Sequence, residues 1–181
     1  MFYAITHSQL CCVGAVWAED KIAIRVSGIF LSRKRREARL MIKKNFPEAV
    51  KHARGGKMPV LKRIACYLGG ADVPFGRTLL DRSALSGFQR KVLGALAKVP
   101  RGRVIAYKTL ACRLGLTSSR AVGTALARNP FPIIIPCHRV VNFDGGLGGF
   151  TPGQDIKIGL LKMEGVNPDK RNRIPKEFFV C

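Results

Sequence analysis

Apolar positions change period several times along the chain. From Ile22 to Val26 they alternate, and with Ala15–Glu19 before and Ser27–Leu31 after, this predicts a hairpin turning at Glu19-Asp20. The N-terminal stretch, residues 1–20, lacks a basic leading region and carries His7 and Gln9, so it reads as strand rather than a signal peptide. Residues 32–53 predict a basic amphipathic helix, ended near Pro47 with the option of resuming after it. Residues 52–59 read as a loop. Residues 60–70 predict a short helix with Leu61, Ile64, Ala65 and Leu68 on one face and Gly69 as its stop. The pattern then turns irregular over 70–85, which sets a domain boundary between residues 84 and 85.

The second half is better punctuated. Ser86 to Gln89 predicts a capping box, with Phe88, Val92, Leu93 and Leu96 on one helical face and Pro100 and Gly102 ending it. Residues 104–107 predict a short strand. A short helix follows, with Leu110, Ala111 and Leu114 inward and Gly115 as the stop. Thr117, Ser118 or Ser119 caps the next helix, which closes before Asn129-Pro130. Two short helices around a tight glycine turn, over about 107–128, form a helix-turn-helix pattern. Ala121, Gly123, Ala125 and Ala127 keep the second of them slim, and Arg120 stands at its start. Pro132 to Pro136 brackets three isoleucines and predicts a buried strand ending at Cys137. Thr151-Pro152-Gly153-Gln154 predicts another capping box, opening a helix that docks through Ile156, Leu160, Leu161 and Met163 and ends near Glu164.

Charge adds a partner to this layout. The 181 residues hold 32 Lys plus Arg against 11 Asp plus Glu, a formal net charge of +21. Both halves share the excess, with 16 basic and 6 acidic residues up to position 84 and 16 and 5 after it. A body this basic throughout is most simply a polyanion binder, with nucleic acid the first candidate and an anionic membrane surface the second. Seven basic residues between 33 and 44 form either a DNA-facing surface or a solvated helix face. No apolar run is long enough to span a membrane. Six cysteines without a CxxC pair suggest free thiols in a reducing, intracellular setting. Zinc needs four suitably spaced ligands, and the only loose grouping is His7, Cys11 and Cys12, so no metal is assigned.

Cys137, His138 and Arg139 are consecutive. A thiol becomes nucleophilic beside a base or cation, and a base works better when a carboxylate orients it. Glu164 is the downstream candidate, at a helix C-terminus where the dipole disfavours an anion. On this chemistry Cys137 is either a reactive thiol or an inert core cysteine.

Ile135-Pro136-Cys137-His138-Arg139-Val140-Val141 resembles the active-site signature of the O6-alkylguanine-DNA alkyltransferases, the methylated-DNA–protein-cysteine methyltransferases. Residues 88–96, 102–107, 119–126, Asn129-Pro130 and 160–166 resemble the family in the same order, so the likeness covers roughly 85–167. Residues 1–84 match only in general layout. The resemblance implies that Cys137 accepts the alkyl group from O6 of guanine, and also from O4 of thymine, by an irreversible, one-shot displacement. It implies that His138 takes the thiol proton through a water, that Glu164 orients His138, and that Tyr107 donates toward the leaving guanine. Arg120 would fill the gap left by a flipped nucleotide, with Ala121, Gly123 and Tyr107 in the minor groove. Val140, Thr151, Asn129 and Lys157 would surround the guanine, with carbonyls of Cys137 and Val140 lining its pocket and Asn129 also holding the turn between the second helix and the active-site strand. Gly149-Phe150-Thr151-Pro152 departs from the family's usual tyrosine followed by Ser or Arg and Gly.

The fold class implied is α/β (α+β): a ribonuclease-H-like domain with a short antiparallel sheet over 1–84, then a mainly helical domain with a winged-helix-like helix-turn-helix over 85–181. The expected protein is a cytoplasmic, monomeric DNA-repair methyltransferase needing no cofactor, membrane or obligate protein partner, acting on double-stranded DNA containing O6-alkylguanine. A non-catalytic DNA-binding regulator is the rival, weakened by the lack of a dimerisation device; a cysteine hydrolase is weaker still, with no oxyanion hole in view.

Overall fold

A computed structural model describes residues 1–53, 58–76 and 78–180. The chain divides into two compact units, Met1–Ala84 and Leu85–Cys181. Part of the expected loop at 52–59, and Cys181, lie outside the described residues.

In the first unit β1 (Phe2–His7), β2 (Cys12–Glu19) and β3 (Ile24–Ser32) form an antiparallel meander. The N-terminal stretch is thus two strands, not one. Ser8 makes the first turn, its hydroxyl donating to the Cys11 carbonyl at 2.9 Å and accepting the Cys11 amide at 3.1 Å. Asp20 makes the second, where one carboxylate oxygen accepts the amides of Ile22 and Ala23, each at 2.8 Å. Helix α1 (Arg35–Asn45) buries Ala38 and Ile42, and Ile42 packs with Tyr3, Val16 and Ala49. It does not resume beyond Pro47. The chain instead extends into β4 (Val50–Lys51), which pairs parallel with β1 and makes the sheet order β3-β2-β1-β4. The sheet is therefore mixed at one edge rather than wholly antiparallel.

Helix α2 (Pro59–Leu68) buries Val60, Leu61, Ile64, Tyr67 and Leu68, while Ala65 is exposed, because the buried stripe runs one position off the expected face. Gly69 stops it as expected, as the C-cap residue, and Gly70 follows in the left-handed region at φ 96. The irregular segment after it is pinned to β3 by the Val26 amide donating to Leu79 at 2.9 Å and the Asp81 amide donating to Val26 at 2.8 Å.

The second unit holds α3 (Gly87–Leu96), β5 (Ile105–Ala106), α4 (Tyr107–Arg113), α5 (Ser119–Ala127), β6 (Val140–Val141) and α6 (Gln154–Met163). Ser86 caps α3 by accepting the Gln89 amide at 3.1 Å. The reciprocal half of the box is missing, since the Gln89 side chain donates to the Arg128 carbonyl at 3.3 Å, and Phe88 is exposed. Ser118 caps α5. Gly153, at φ 117, is the N-cap of α6 and no side chain caps the helix, so the box expected from Thr151 does not form. β5 and β6 pair in parallel. Val104, Val141, Leu147, Leu161, Val166 and Ile174 pack beside them, with Phe178 and Phe179 of the C-terminal tail against the same core. Val104 fixes that tail, donating to Phe178 at 2.9 Å and accepting from Val180 at 2.8 Å.

Gly145 lies at φ +88, and a Cβ there would stand 2.7 Å from the Ile174 carbonyl oxygen, a backbone atom that cannot rotate away. Gly145→Ala should lower stability by about 1–3 kcal/mol, combining a strained left-handed backbone with a forced tail shift. Chemical denaturation of the variant beside the parent measures this; equal midpoints would contradict the clash.

Candidate active site

The isoleucine run between prolines does not form the expected strand. Pro130, Pro132 and Pro136 supply no amide hydrogen and fix φ, so β-branched propensity loses to the backbone constraint. Residues 132–135 fold into a turn closed by the Ile135 amide on the Phe131 carbonyl at 2.8 Å. Asn129 braces it from both sides, accepting the Phe131 amide at 3.0 Å and donating to the Ile135 carbonyl at 2.9 Å. Ile133 is held at φ 74, rare for a β-branched residue and worth about 1–3 kcal/mol of strain. Its side chain is 2% exposed, so surrounding packing keeps it there.

Pro136 leads into a single 3-10 turn, Cys137–Arg139, followed directly by β6. Adjacent side chains therefore leave a tight turn instead of alternating along a strand. The Asn129 amide donates to Cys137 Sγ at 3.2 Å, a contact with no signal in the spacing of the two residues. Burial pushes the Cys137 thiol up, opposed by the Asn129 hydrogen bond, the Lys157 charge and the amides of Cys137 and His138. The resting group is a neutral thiol.

Across 26 residues of sequence, Glu164 at the end of α6 meets His138, with Oε1 at 3.2 Å from Nε2. Arg139 grips the same carboxylate, through Nε at 2.9 Å and Nη2 at 2.6 Å, while its Nη1 donates to the Val99 carbonyl at 2.6 Å. The sequence pointed to Arg139 only as a charge near the thiol; its engagement with Glu164 is an added component of the site. Burial alone would raise the Glu164 carboxyl, but the hydrogen bonds from His138 and Arg139 and the Arg139 charge outweigh it and hold the group well below the usual carboxylate range. Burial pushes His138 down, with Glu164 opposing, so its imidazole rests neutral. The ion pair offsets the unfavourable dipole position noted for Glu164.

Lys157 is fully buried on α6, its Nζ donating to the Val140 carbonyl at 2.6 Å and to the Leu147 carbonyl. Burial lowers it to about 8. Tyr107, half-buried where β5 becomes α4, donates to the Gly149 carbonyl at 3.2 Å. Burial raises its hydroxyl, and a thiolate at Cys137 would add to the effect. Its ring leaves no room for a side chain at Gly148, where φ is +68 and a Cβ would come within 2.9 Å of the ring. Thr151 is exposed and its hydroxyl lies 3.4 Å from the Ala127 carbonyl. Arg120 and Ala121 are exposed in the first turn of α5 and Gly123 is half-buried, 4.0 Å from the Tyr107 ring when given a Cβ. Thus Asn129 with Cys137, His138 with Glu164, and Lys157 with Val140 are brought together around the 3-10 turn and α6, with Tyr107 joined to the Gly149 loop and Arg120 exposed on α5. Among the described residues, no group of three or more His, Cys, Asp or Glu side chains is arranged to hold a metal ion; His7 Nδ1 and Cys12 Sγ form a pair at 3.3 Å.

Residues 87–166 match the family described as 6-O-methylguanine DNA methyltransferase, DNA binding domain. A methylated-DNA–protein-cysteine methyltransferase of Methanothermobacter thermautotrophicus is 35% identical over 157 residues, covering 86% of this chain and 80% of the relative. A protein of the same name from Thermococcus barophilus is 55% identical over 88 residues, about half of each chain. The crystal structure of the O6-methylguanine-DNA methyltransferase from Pyrococcus kodakaraensis superposes with a TM-score of 0.73 at 29% identity, over 91% of this chain and 98% of that one. The chain belongs to the methylated-DNA–protein-cysteine methyltransferase family. Its activity is direct repair of alkylated DNA, the alkyl group passing from O6 of guanine to a cysteine of the protein itself.

Glu164→Gln removes the anion from a buried pair and should destabilise the protein by about 3–5 kcal/mol at neutral pH. Because the folded carboxyl titrates below its unfolded value of about 4.3, its contribution is complete above that pH and lost as pH falls toward the folded value. The stability gap between parent and variant, read by urea unfolding, should therefore narrow below about pH 4. A gap of constant size from neutral to acid would contradict this account of Glu164.

Proposed function

We propose that Cys137 is the alkyl acceptor, and the observation carrying this is the linked set of Cys137, a neutral buried His138 and an anionic Glu164 fixed by Arg139. A thiol kept neutral by burial needs a base to release its proton, and a neutral imidazole can take it through a water. The sulfur attacks the carbon on O6, the S–C bond forming as the C–O bond breaks. Tyr107, whose raised hydroxyl keeps its proton at neutral pH, donates to the departing guanine. The thioether has no leaving group to regenerate the thiol, so each molecule acts once, on O6-alkylguanine and also on O4-alkylthymine. Asn129 and Lys157, which favour the thiolate electrostatically, aid the same step, and the Val140 carbonyl and the backbone near Thr151 border the guanine.

The open Arg120–Ala121 face of α5 with Gly123 behind it suits close approach to a minor groove, and Arg120 fills the space of a flipped nucleotide. On this reading α4 and α5 are the helix-turn-helix of a winged-helix-like domain, and the first unit is ribonuclease-H-like. The protein acts as a monomer on duplex DNA inside the cell, without cofactor or obligate partner. Among the described residues, no helix is long and apolar enough to cross a membrane.

Incubated with an oligonucleotide carrying one O6-methylguanine, the parent should gain the mass of one methylene unit per molecule, mapped to the Cys137 peptide. Cys137→Ala should bind the DNA yet gain nothing, and labelling of another cysteine in that variant would overturn the assignment. Arg120→Ala should slow repair in duplex at least tenfold while leaving reaction with the free alkylated base near the parent rate. Equal losses on both substrates would remove Arg120 from the flipping step.

A further inference from the structure

The first unit carries a concave basic surface that alkyl transfer does not use. A groove of about 600 Å3 runs between the start of α1 and the β1–β4 edge of the sheet, lined by Arg35, Arg36, Arg39 and Lys51 over a floor at Tyr3–Ile5. No acidic residue lines it. Glu37, the carboxylate of the same helix, is turned to the Ser32 hydroxyl at 2.5 Å and to Lys34 at 3.9 Å. Among the described residues, no carboxylate pairs with Arg35, Arg36, Arg39 or Lys51.

The basic run from 33 to 44 therefore divides by role. Lys43 in the last turn serves the fold, donating to the Pro47 carbonyl at 3.1 Å and the Ala49 carbonyl at 2.6 Å. Arg35, Arg36 and Arg39 do nothing comparable. They crowd like charges into the opening turns of α1, where the helix dipole favours anions, and their side chains repel one another. A merely solvated helix face spreads its charges over a convex surface. Here a lysine from a strand joins three helix arginines around one concavity, and guanidinium groups suit the oxygen pairs of phosphate.

We propose that this groove is a second nucleic-acid site, gripping consecutive backbone phosphates of DNA by a surface independent of the alkyl-acceptor chemistry. Such contacts carry no sequence information, and they suit a protein that must dwell on undamaged DNA while searching for rare lesions. The inference goes beyond the alkyl-transfer reading and does not rest on it.

The test compares the full-length parent with Arg35→Ala/Arg36→Ala/Arg39→Ala and with a charge-matched control, Lys21→Ala/Lys44→Ala/Lys62→Ala, whose three lysines are exposed outside the groove. Affinity for an unmodified duplex is measured against salt concentration. Three lost phosphate contacts should reduce the slope of log affinity on log salt by about 2–3, so that between about 50 and about 200 mM salt the parent loses roughly 40-fold more affinity than the groove variant. The control should change the slope by less than one contact's worth. Equal slopes for the two triple variants, or a groove variant matching the parent, would overturn the proposal. Transfer from a free O6-alkylated guanine base, which has no phosphate, should stay at the parent rate in both variants. If the parent itself transferred nothing, the alkyl-transfer reading would fail while the salt slopes still judged the groove.

Discussion

A single buried carboxylate organises the second unit. Glu164 ends α6, and two consecutive residues of the 3-10 turn, His138 and Arg139, both bond to it. Arg139 passes the connection on to the Val99 carbonyl beyond the end of α3. A charge with no water around it is tolerated only when its lone pairs are met, and here they are met from the motif that carries Cys137. The carboxylate thereby sets three things together: the seat of α6, the orientation of the imidazole and the pitch of the turn holding the thiol. Lys157, two turns earlier on the same face of α6, ties the same helix to β6 and the Leu147 loop, so both ends of the site hang on one element.

The thiol itself sits on a segment kept in an unfavourable conformation. Ile133 holds a positive φ inside a proline-rich turn, and the turn survives because Asn129 satisfies its inner amide and carbonyl while Phe131 and Ile135 are buried. Strain of this kind persists where neighbours over-determine the geometry, and its reward is placement. The same Asn129 side chain reaches Cys137 Sγ, coupling the brace to the reacting atom. A site meant for one displacement needs no turnover, so rigidity costs it little.

Positive charge is distributed between the units in different ways. In the second, Lys157 and Arg139 are absorbed into buried bonds, and Arg120 stands open at the head of a slim helix. In the first, Lys43 closes the turn after α1 while the arginines before it converge on a groove. The formal excess is nearly equal in the two halves, yet its use cannot be read from that equality.

Much of the architecture was legible in residues with local consequences. Asp20 and the alternation around it marked a hairpin, Ser86 marked one helix start and the Thr117–Ser119 stretch another, and Gly115 marked a stop, because caps and tight turns depend on neighbours within four positions. Local rules also misled: three isoleucines read as a strand, but proline φ constraints and the Asn129 brace made a turn. The partner of Gln89, the parallel pairing of β4, the role of residues 174–179 in the core and the arginine grip on Glu164 had no local signature. Each joins positions far apart in the chain, and nothing in the composition of either partner encodes the distance between them. By itself the sequence determined the order of elements, the strongly basic surface and a Cys-His-Arg motif resembling one family. Only the tertiary structure decided which charges are buried as pairs and which stay open to a polyanion, because burial and convergence are properties of packing rather than of any one segment.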